Sequence, residues 1–189
     1  MKGAILILCL AMTTPAFAQK CKFKKNDVRR DGSVTVITPE RMINKKFTSK
    51  FFFTSSFAFL KTEYISGDYV LLMKLSAGNE NLDTAEGNKL YLTLSDGTEI
   101  ILKNKLESTA KTIENMGIKS SFVLNSYTIS FENLKKIQET GIASIEMATN
   151  DKDHKSEVSD KDNKELAAQI LCLLNETEQF RDKNDILFK

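Results

Sequence analysis

Apolar and polar residues alternate along several short stretches of this chain, which is the pattern of β-strands that bury one face. The clearest stretch, residues 89–94, places three leucines on one parity: Leu90, Leu92 and Leu94. A Ser-Asp-Gly-Thr turn at residues 95–98 separates it from a second run at 99–103. These features predict a β-hairpin over residues 89–103.

An N-terminal hairpin is predicted by the same reasoning. Two short runs, residues 22–27 and 34–38, flank the pair Asp31-Gly32, which is a strong hairpin turn signal. Pro39 ends the second run because proline lacks a backbone N–H and has a fixed φ. The first run is rich in lysine, and lysines protect an exposed edge strand from pairing with another chain. We therefore expect a solvated edge strand there, and the alternative is a basic segment that binds an anionic surface.

Further strands are predicted from apolar runs bounded by turn residues. They lie at residues 47–60, 69–75, 121–130 and 142–148, with a short edge strand near 157–158. Four phenylalanines of one parity in the first of these runs are assigned to the core: Phe51, Phe53, Phe57 and Phe59. The alternative is an exposed aromatic surface for a carbohydrate or a partner, although the chain has no Trp. In the third run, Phe122 and Leu124 are expected to face the core, together with Tyr127 and Ile129.

A short helix is predicted over residues 131–140. Ser130 can cap its first turn, and Gly141 can take the left-handed position after its last residue. Leu134 and Ile137 lie one turn apart and face the core. Residues 107–116 have only weak helical periodicity and are interpreted as a loop or a short helix.

A C-terminal helix is predicted from about Asn163 to Glu178. Asp162 is its expected N-cap, and Glu165 completes a start that resembles a capping box. One stripe of side chains has the spacing of a helix packed on a sheet: Leu166, Ile170, Leu173, Leu174 and Thr177. Cys172 lies off this stripe, which favours a covalent link to the segment of Cys21.

Together these elements predict an α+β, mainly β fold. We expect an antiparallel sheet or sandwich of seven to nine strands, with the short helix and the C-terminal helix packed on it. Residues 19–178 form one domain of ordinary size. Residues 179–189 form a charged, loosely held tail.

Residues 1–18 have the features of a cleaved secretory signal. Lys2 provides a positive start, residues 4–12 form an apolar core, and Ala16-Phe17-Ala18 is a small-x-small cleavage site. We expect the mature chain to begin at Gln19 and to be exported to the periplasm or the cell exterior. The alternative is a buried N-terminal helix.

Signal removal changes the cysteine count. Cys9 is lost with the signal, so the mature chain keeps the pair Cys21 and Cys172. In an oxidising compartment the two could form one disulfide. Two separate thiols are the alternative, because the sequence does not show whether the Cα atoms lie within bonding distance. A lipid anchor on Cys21 is disfavoured, since Gln19-Lys20 precede it where a small-residue box would be required.

The overall composition is that of a globular protein, with 41% hydrophobic and 28% charged residues. The net charge of the whole chain is +2, and loss of Lys2 lowers it to +1. A charge so close to zero gives no reason to expect nucleic acid as a partner. After the signal, no apolar run approaches 18 residues, so no transmembrane segment is expected.

The sequence predicts no catalytic residue, no cofactor and no metal site. It contains no phosphate-binding glycine motif and no nucleophile elbow. His154 lies among charged residues and is interpreted as a surface histidine. Among the many Asp and Glu residues, no spacing singles out a carboxylate pair of the kind that hydrolases use.

Three segments carry a resemblance to known proteins: Lys20-Cys21-Lys22-Phe23-Lys24-Lys25-Asn26-Asp27, Gly87-Asn88-Lys89-Leu90-Tyr91-Leu92 and Ile129-Ser130-Phe131-Glu132-Asn133-Leu134-Lys135-Lys136-Ile137. Their order, with the signal before them, resembles small exported proteins of unknown function of Bacteroidota-type bacteria. The resemblance implies a Gram-negative host, hence periplasm or cell surface, and assigns no residue a role.

Three functions follow as hypotheses. The first is a non-catalytic exported protein that binds an envelope or protein partner or another ligand. A secreted hydrolase that uses paired carboxylates and a carrier of a small apolar ligand are the alternatives.

Overall fold

The structure is a computed structural model that describes residues 21–30, 32–43, 57–78, 80–115 and 118–187. The signal segment 1–18 and most of the phenylalanine-rich run lie outside the described residues, and the side chains of Phe57 and Phe59 are also outside them. The predictions that concern these residues therefore stay predictions.

Seven strands form the larger sheet, and all of their pairings are antiparallel. In chain order they are β1 (Lys25–Val28), β2 (Val34–Ile37), β3 (Arg41–Met42), β4 (Phe57–Ile65), β5 (Asp68–Ala77), β8 (Lys111–Asn115) and β9 (Ile118–Ile129). Their spatial order is β1-β2-β4-β5-β9-β8. Strand β2 pairs with residues 63–65 of β4, and β3 pairs with residues 59–60 of the same strand. The predicted N-terminal hairpin is confirmed as β1 and β2, with β1 at the edge.

Four strands form the smaller sheet, in the order β11-β10-β6-β7. They are β6 (Lys89–Leu94), β7 (Glu99–Lys103), β10 (Ile142–Ala148) and β11 (Asp153–Glu157). Helix α1 (Phe131–Thr140) precedes β10, and helix α2 (Asp160–Leu187) ends the described chain. Neither described helix combines the length and the apolar character that crossing a membrane would require.

The α+β, mainly β fold is thus confirmed, with a β content of 49% and a C-terminal helix. Both sheets and both helices contribute side chains to one continuous hydrophobic core. Leu90, Leu92 and Leu94 are buried as the alternation predicted. Asn163 in the first turns of α2 fixes the helix to β10, because its amide bonds both the N–H and the C=O of Ile142 at 2.8 Å.

The strand count differs from the prediction, since the described residues contain eleven strands rather than seven to nine. The two-residue strand β3 and the edge strand β8 account for the difference. Strand β8 lies in the region interpreted as a loop or a short helix. Its described side chains are exposed on both faces, so it forms by pairing with β9 and leaves no hydrophobic alternation in the sequence.

Strand β9 confirms the expected burial of Tyr127 and Ile129 but not that of Phe122 and Leu124. Val123, Tyr127 and Ile129 are buried, whereas Phe122 is half-buried and Leu124 is 54% exposed. Because the side-chain period of a strand is two, burying Asn125 on the same face as Tyr127 places the intervening apolar residues on the outer face. The prediction that Phe122 and Leu124 face the core is therefore wrong.

Helix α2 is longer at both ends than predicted and includes residues 179–187, which were expected to form a tail. Ser159 takes the place at the N-terminus that was assigned to Asp162. Its hydroxyl accepts a hydrogen bond from the backbone N–H of Asp162 and donates one to that residue's carboxylate. Ser159 is therefore the N-cap residue, and the Asp162 carboxylate pairs with its hydroxyl.

Candidate functional site

Two faces of helix α2 have different environments. One face carries the predicted stripe, and all of its members are buried: Leu166, Ile170, Leu173, Leu174 and Thr177. The other face carries Glu165, Gln169, Cys172 and Glu176, which follow one another at three- or four-residue spacing and therefore form a row along the helix. This second row faces the N-terminal segment and the strands β1 and β3.

Three links join this row to the N-terminal part of the chain. Near one end, Asn26 of β1 donates a hydrogen bond to the Glu176 carboxylate at 2.7 Å. In the middle, a disulfide joins Cys172 to Cys21, with their Cα atoms 5.6 Å apart.

The third link is an ion pair at the N-terminal end of the row. Arg41 of β3 donates from Nη1 to the Glu165 carboxylate at 2.7 Å. Since the two side chains are 43% and 40% exposed, this pair contributes little to stability by itself. Its role in the geometry is to hold the guanidinium of Arg41 beside the next turn of α2, where Gln169 lies.

A cavity of about 260 Å³ lies between the disulfide and the ion pair. Its lining includes Cys21, Lys22, Pro39, Arg41, Gln169 and Cys172. The disulfide, Pro39 and Ala168 provide an apolar surface, while Lys22, Arg41 and Gln169 are polar. The cavity therefore has the mixed lining that small-molecule sites commonly show.

Three polar atoms at this cavity are buried and have no hydrogen-bond partner in the described part of the chain. They are Nε of Arg41 and both amide atoms of Gln169, Nε2 and Oε1. An unsatisfied buried donor or acceptor costs about 1–3 kcal/mol, so native structures usually provide such groups with a partner. Because these three atoms are covered, a ligand in the cavity would meet them only after a side-chain rearrangement.

Sequence reasoning brought Cys21 and Cys172 to this site but missed the other polar residues. Neither Arg41 nor Gln169 was singled out. The signal that could have found Gln169 is the row it shares with Glu165, Cys172 and Glu176. This polar row lies about 100° around the helix from the apolar stripe, because each of its members directly precedes a stripe residue, and it holds the cysteine that the stripe excludes.

His154, interpreted from the sequence as a surface histidine, is instead largely covered. Its side chain in β11 is 9% exposed, and its Nε2 is buried with no hydrogen-bond partner among the described residues. Burial lowers the pKa of His154 from its ordinary value, while the Glu80 carboxylate, 3.9 Å from Nδ1, opposes the shift. The folded protein therefore favours the neutral imidazole.

We expect an NMR titration of His154 to give a midpoint below about 6.5, the ordinary histidine value. As the pH falls below the unfolded-state pKa of about 6.5, the unfolded chain binds a proton at His154 before the folded protein does. The protein therefore loses stability between that pH and the lower folded-state pKa. His154→Gln should thus reduce the loss of stability between pH 7 and pH 5. The titration is unambiguous because the chain has a single histidine. A midpoint at or above 6.5 would contradict the expectation.

A second group of unusual polar residues lies in the core where the two sheets meet. Thr84, Asn104, Asn125 and Tyr127 are at most 3% exposed. The Thr84 hydroxyl donates to Oδ1 of Asn125 at 2.8 Å, and the Asn104 amide lies within 3.4 Å of both. Burial raises the pKa of the Tyr127 phenol far above its ordinary value, an effect that the adjacent Asn125 side chain partly offsets. The group is closed to solvent and joins β7 to β9 through the Asn104–Tyr127 bridge.

The described residues show neither a group of metal ligands nor a buried carboxylate. No three His, Cys, Asp or Glu side chains among them are grouped as a metal site would need. The buried polar side chains in these ranges are those of Thr, Ser and Asn, with no Asp or Glu. The cavity beside the disulfide is therefore taken as the candidate site.

No protein-family model, curated protein or solved structure matches this chain. The geometry of the cavity and its unpartnered atoms is the basis for assigning a function.

Proposed function

We propose that the protein is an exported, non-catalytic binding protein whose ligand site is the cavity between β3, the N-terminal segment and helix α2. The observation that carries this proposal is the Gln169 side chain, which lines the cavity while both of its amide atoms are covered and unpartnered among the described residues. Leucine or methionine at this half-buried position would leave no polar atom without a partner. A glutamine there is explained by a partner that binds it.

Charge at the cavity also favours a ligand. Lys22 and Arg41 contribute two positive charges, and Glu165 neutralises one of them through its ion pair with Arg41. The remaining field is weakly positive and attracts the oxygen of a neutral polar group or an anion. The cavity volume corresponds to roughly eight or nine water molecules, which suits a small molecule rather than a polypeptide segment.

A fragment-binding experiment tests this function. Ligand-observed NMR with a library of small neutral, anionic and cationic fragments should detect compounds that bind the protein but not Gln169→Leu. The matched control is Gln179→Leu, the same change at an exposed position of α2, which should bind as the unmodified protein does. If no fragment distinguishes Gln169→Leu from the unmodified protein, the cavity is not the binding site.

The proposed export rests on the signal segment and is supported by the disulfide. Disulfides persist in oxidising compartments such as the periplasm, and they are rare in the cytosol. The Cys21–Cys172 bond is therefore consistent with a chain that leaves the cytoplasm.

Intact-mass measurement of the protein from its producing cells should show loss of residues 1–18 and no acyl chain. The same spectrum should show a mass lower by two hydrogens than that of the dithiol, because Cys21 and Cys172 are bonded. A chain that retains Met1 would overturn the export proposal, and an added lipid mass would overturn the prediction that Cys21 is not acylated.

A further inference from the structure

We infer that the Cys21–Cys172 disulfide is a site of thiol exchange, which a small thiol with a negative charge reaches in the folded protein. The inference goes beyond the proposed ligand binding, because it concerns a covalent reaction of the bond itself and holds whether or not the cavity takes another ligand. Three observations support it: the position of the bond at the cavity, the charge beside it and the contacts that hold the chain after residue 22.

The cavity gives a thiol access to the bond. Both cysteines line the cavity, and its volume of about 260 Å³ admits a short-chain thiol. Cys21 is exposed and Cys172 is half-buried. A disulfide reacts only where a thiolate can reach one of its sulfur atoms. A bond enclosed in the core therefore reacts only after unfolding, whereas this bond can be attacked while the protein is folded.

The charge at the cavity favours an anion. Lys22 directly follows Cys21 and lines the cavity, as does Arg41 of β3. Arg41 is paired with Glu165 at 2.7 Å, so Lys22 supplies the net positive charge. The species that attacks a disulfide is the thiolate, which is itself an anion. Lys22 therefore attracts the attacking thiolate, and the attraction is stronger when the thiol carries a second negative charge.

The exchange consists of two steps. In the first step, the thiolate sulfur bonds to Sγ of Cys21, the more exposed cysteine, and the electron pair of the broken bond leaves on Sγ of Cys172. In the second step, another thiolate attacks the small thiol's sulfur in this mixed disulfide and releases Cys21. Each released cysteine sulfur takes a proton from water. The protein thus gains two thiols, and two molecules of the small thiol are oxidised to their disulfide.

The rest of the N-terminal segment remains attached when the bond breaks. Phe23 packs against the core, and the N–H of Lys24 bonds the C=O of Ile37 at 2.8 Å. Among the described residues, only Cys21 and Lys22 precede these contacts, so only they are released. Exchange therefore removes one wall of the cavity and leaves the larger sheet intact.

Reduction kinetics test the inference. The oxidised protein is mixed with 2-mercaptoethanesulfonate or with 2-mercaptoethanol, and intact mass after an acid quench follows the mixed disulfide and the dithiol. Each rate is divided by the rate of the same thiol with a small neutral disulfide, so that the relative rate is free of the thiol's own reactivity. Peptide mapping should find the first adduct on Cys21, and a first adduct on Cys172 would overturn the assigned point of attack.

Lys22→Gln should slow the reaction with 2-mercaptoethanesulfonate about three- to fivefold at low ionic strength, because it removes one positive charge from the cavity. The effect on 2-mercaptoethanol should be smaller, since its thiolate has one negative charge instead of two. Lys22→Arg should keep the rates of the unmodified protein. The matched control is Lys103→Gln, the same change at an exposed position of the smaller sheet, which should alter neither rate. If Lys22→Gln and Lys103→Gln have equal effects, the site does not select an anionic thiol and the inference fails.

Urea distinguishes exchange in the folded protein from reduction after unfolding. Addition of about 1 M urea raises the unfolded population roughly tenfold or more while most molecules stay folded. We expect the relative rate to change by less than about twofold. A rate that rises in parallel with the unfolded population would overturn the inference, as would a relative rate about a thousandfold or more below that of the small disulfide. Neither result affects the fragment-binding experiment at Gln169, so the inference and the proposed function fail separately.

Discussion

Replacing both Cys21 and Cys172 by serine is expected to lower the free energy of unfolding by about 2–4 kcal/mol. The bond joins residues 151 positions apart, so it restricts nearly the whole chain in the unfolded state. The loop-entropy relation gives about 5 kcal/mol for a loop of this length, and measured values usually fall below it. For a domain of this size, the loss corresponds to a fall in melting temperature of roughly 5–15 °C.

Denaturant unfolding under non-reducing conditions measures this effect. Reduced unmodified protein should match the double serine variant, because both lack the same cross-link. The control is Asn26→Ala, which removes the exposed hydrogen bond to Glu176 and should change stability by less than about 1 kcal/mol. If the double variant lies within about 0.5 kcal/mol of the unmodified protein, the cross-link does not stabilise the fold. If the exported chain shows free thiols when it is denatured without a reductant, the bond between Cys21 and Cys172 is not formed.

Local signals predicted the elements whose formation depends on neighbouring residues. Helix α1 has the predicted caps, with the Ser130 hydroxyl accepting from the N–H of Asn133 and Gly141 at a φ of 80°. The hairpin of β6 and β7 and the buried stripe of α2 also follow the predicted periodicity. In each case, turn chemistry and hydrophobic spacing indicate the same structure.

The features that sequence reasoning missed depend on contacts between distant residues. Strand β8 forms because β9 offers an edge, and its exposed side chains carry no alternation. The cysteine pair at the candidate site could be predicted, since Cys172 lies off the apolar stripe of α2. The contribution of Arg41 and Gln169 could not, because these residues are 128 positions apart and come together only through the packing of α2 on the sheet.

The buried face of β9 carries the polar group at the sheet junction. Phe122 and Leu124 were expected to face the core, whereas the fold buries Asn125 with Tyr127 and Ile129 and leaves those two on the outer face. Asn125 accepts from Thr84 and donates to the sulfur of Met147 at 3.4 Å, so it links the loop before β6, strand β9 and strand β10. This position therefore specifies which face of β9 is buried.

Asn125→Leu is expected to lower the free energy of unfolding by about 3 kcal/mol. Leucine has the same branched shape and a somewhat larger volume, so no cavity forms and the loss comes from hydrogen bonding and from tighter packing. The Thr84 hydroxyl would lose its acceptor at 2.8 Å while remaining fully buried, and the Asn104 amide would lose one of its neighbours. Denaturant unfolding of the purified variant measures the change.

Tyr127→Phe is the matched control, since Tyr127 lies two residues away on the same face of β9. Its hydroxyl is buried and has no hydrogen bond of good geometry among the described residues, although the Asn125 side chain lies close enough to lower its pKa. Removing the hydroxyl should therefore change stability by less than about 1 kcal/mol in either direction. The difference in the free energy of unfolding between Asn125→Leu and Tyr127→Phe distinguishes the loss of a hydrogen-bonded amide from the loss of a buried polar group in general. Equal losses in both variants, or a stable Asn125→Leu protein, would show that the polar group does not determine the buried face of β9.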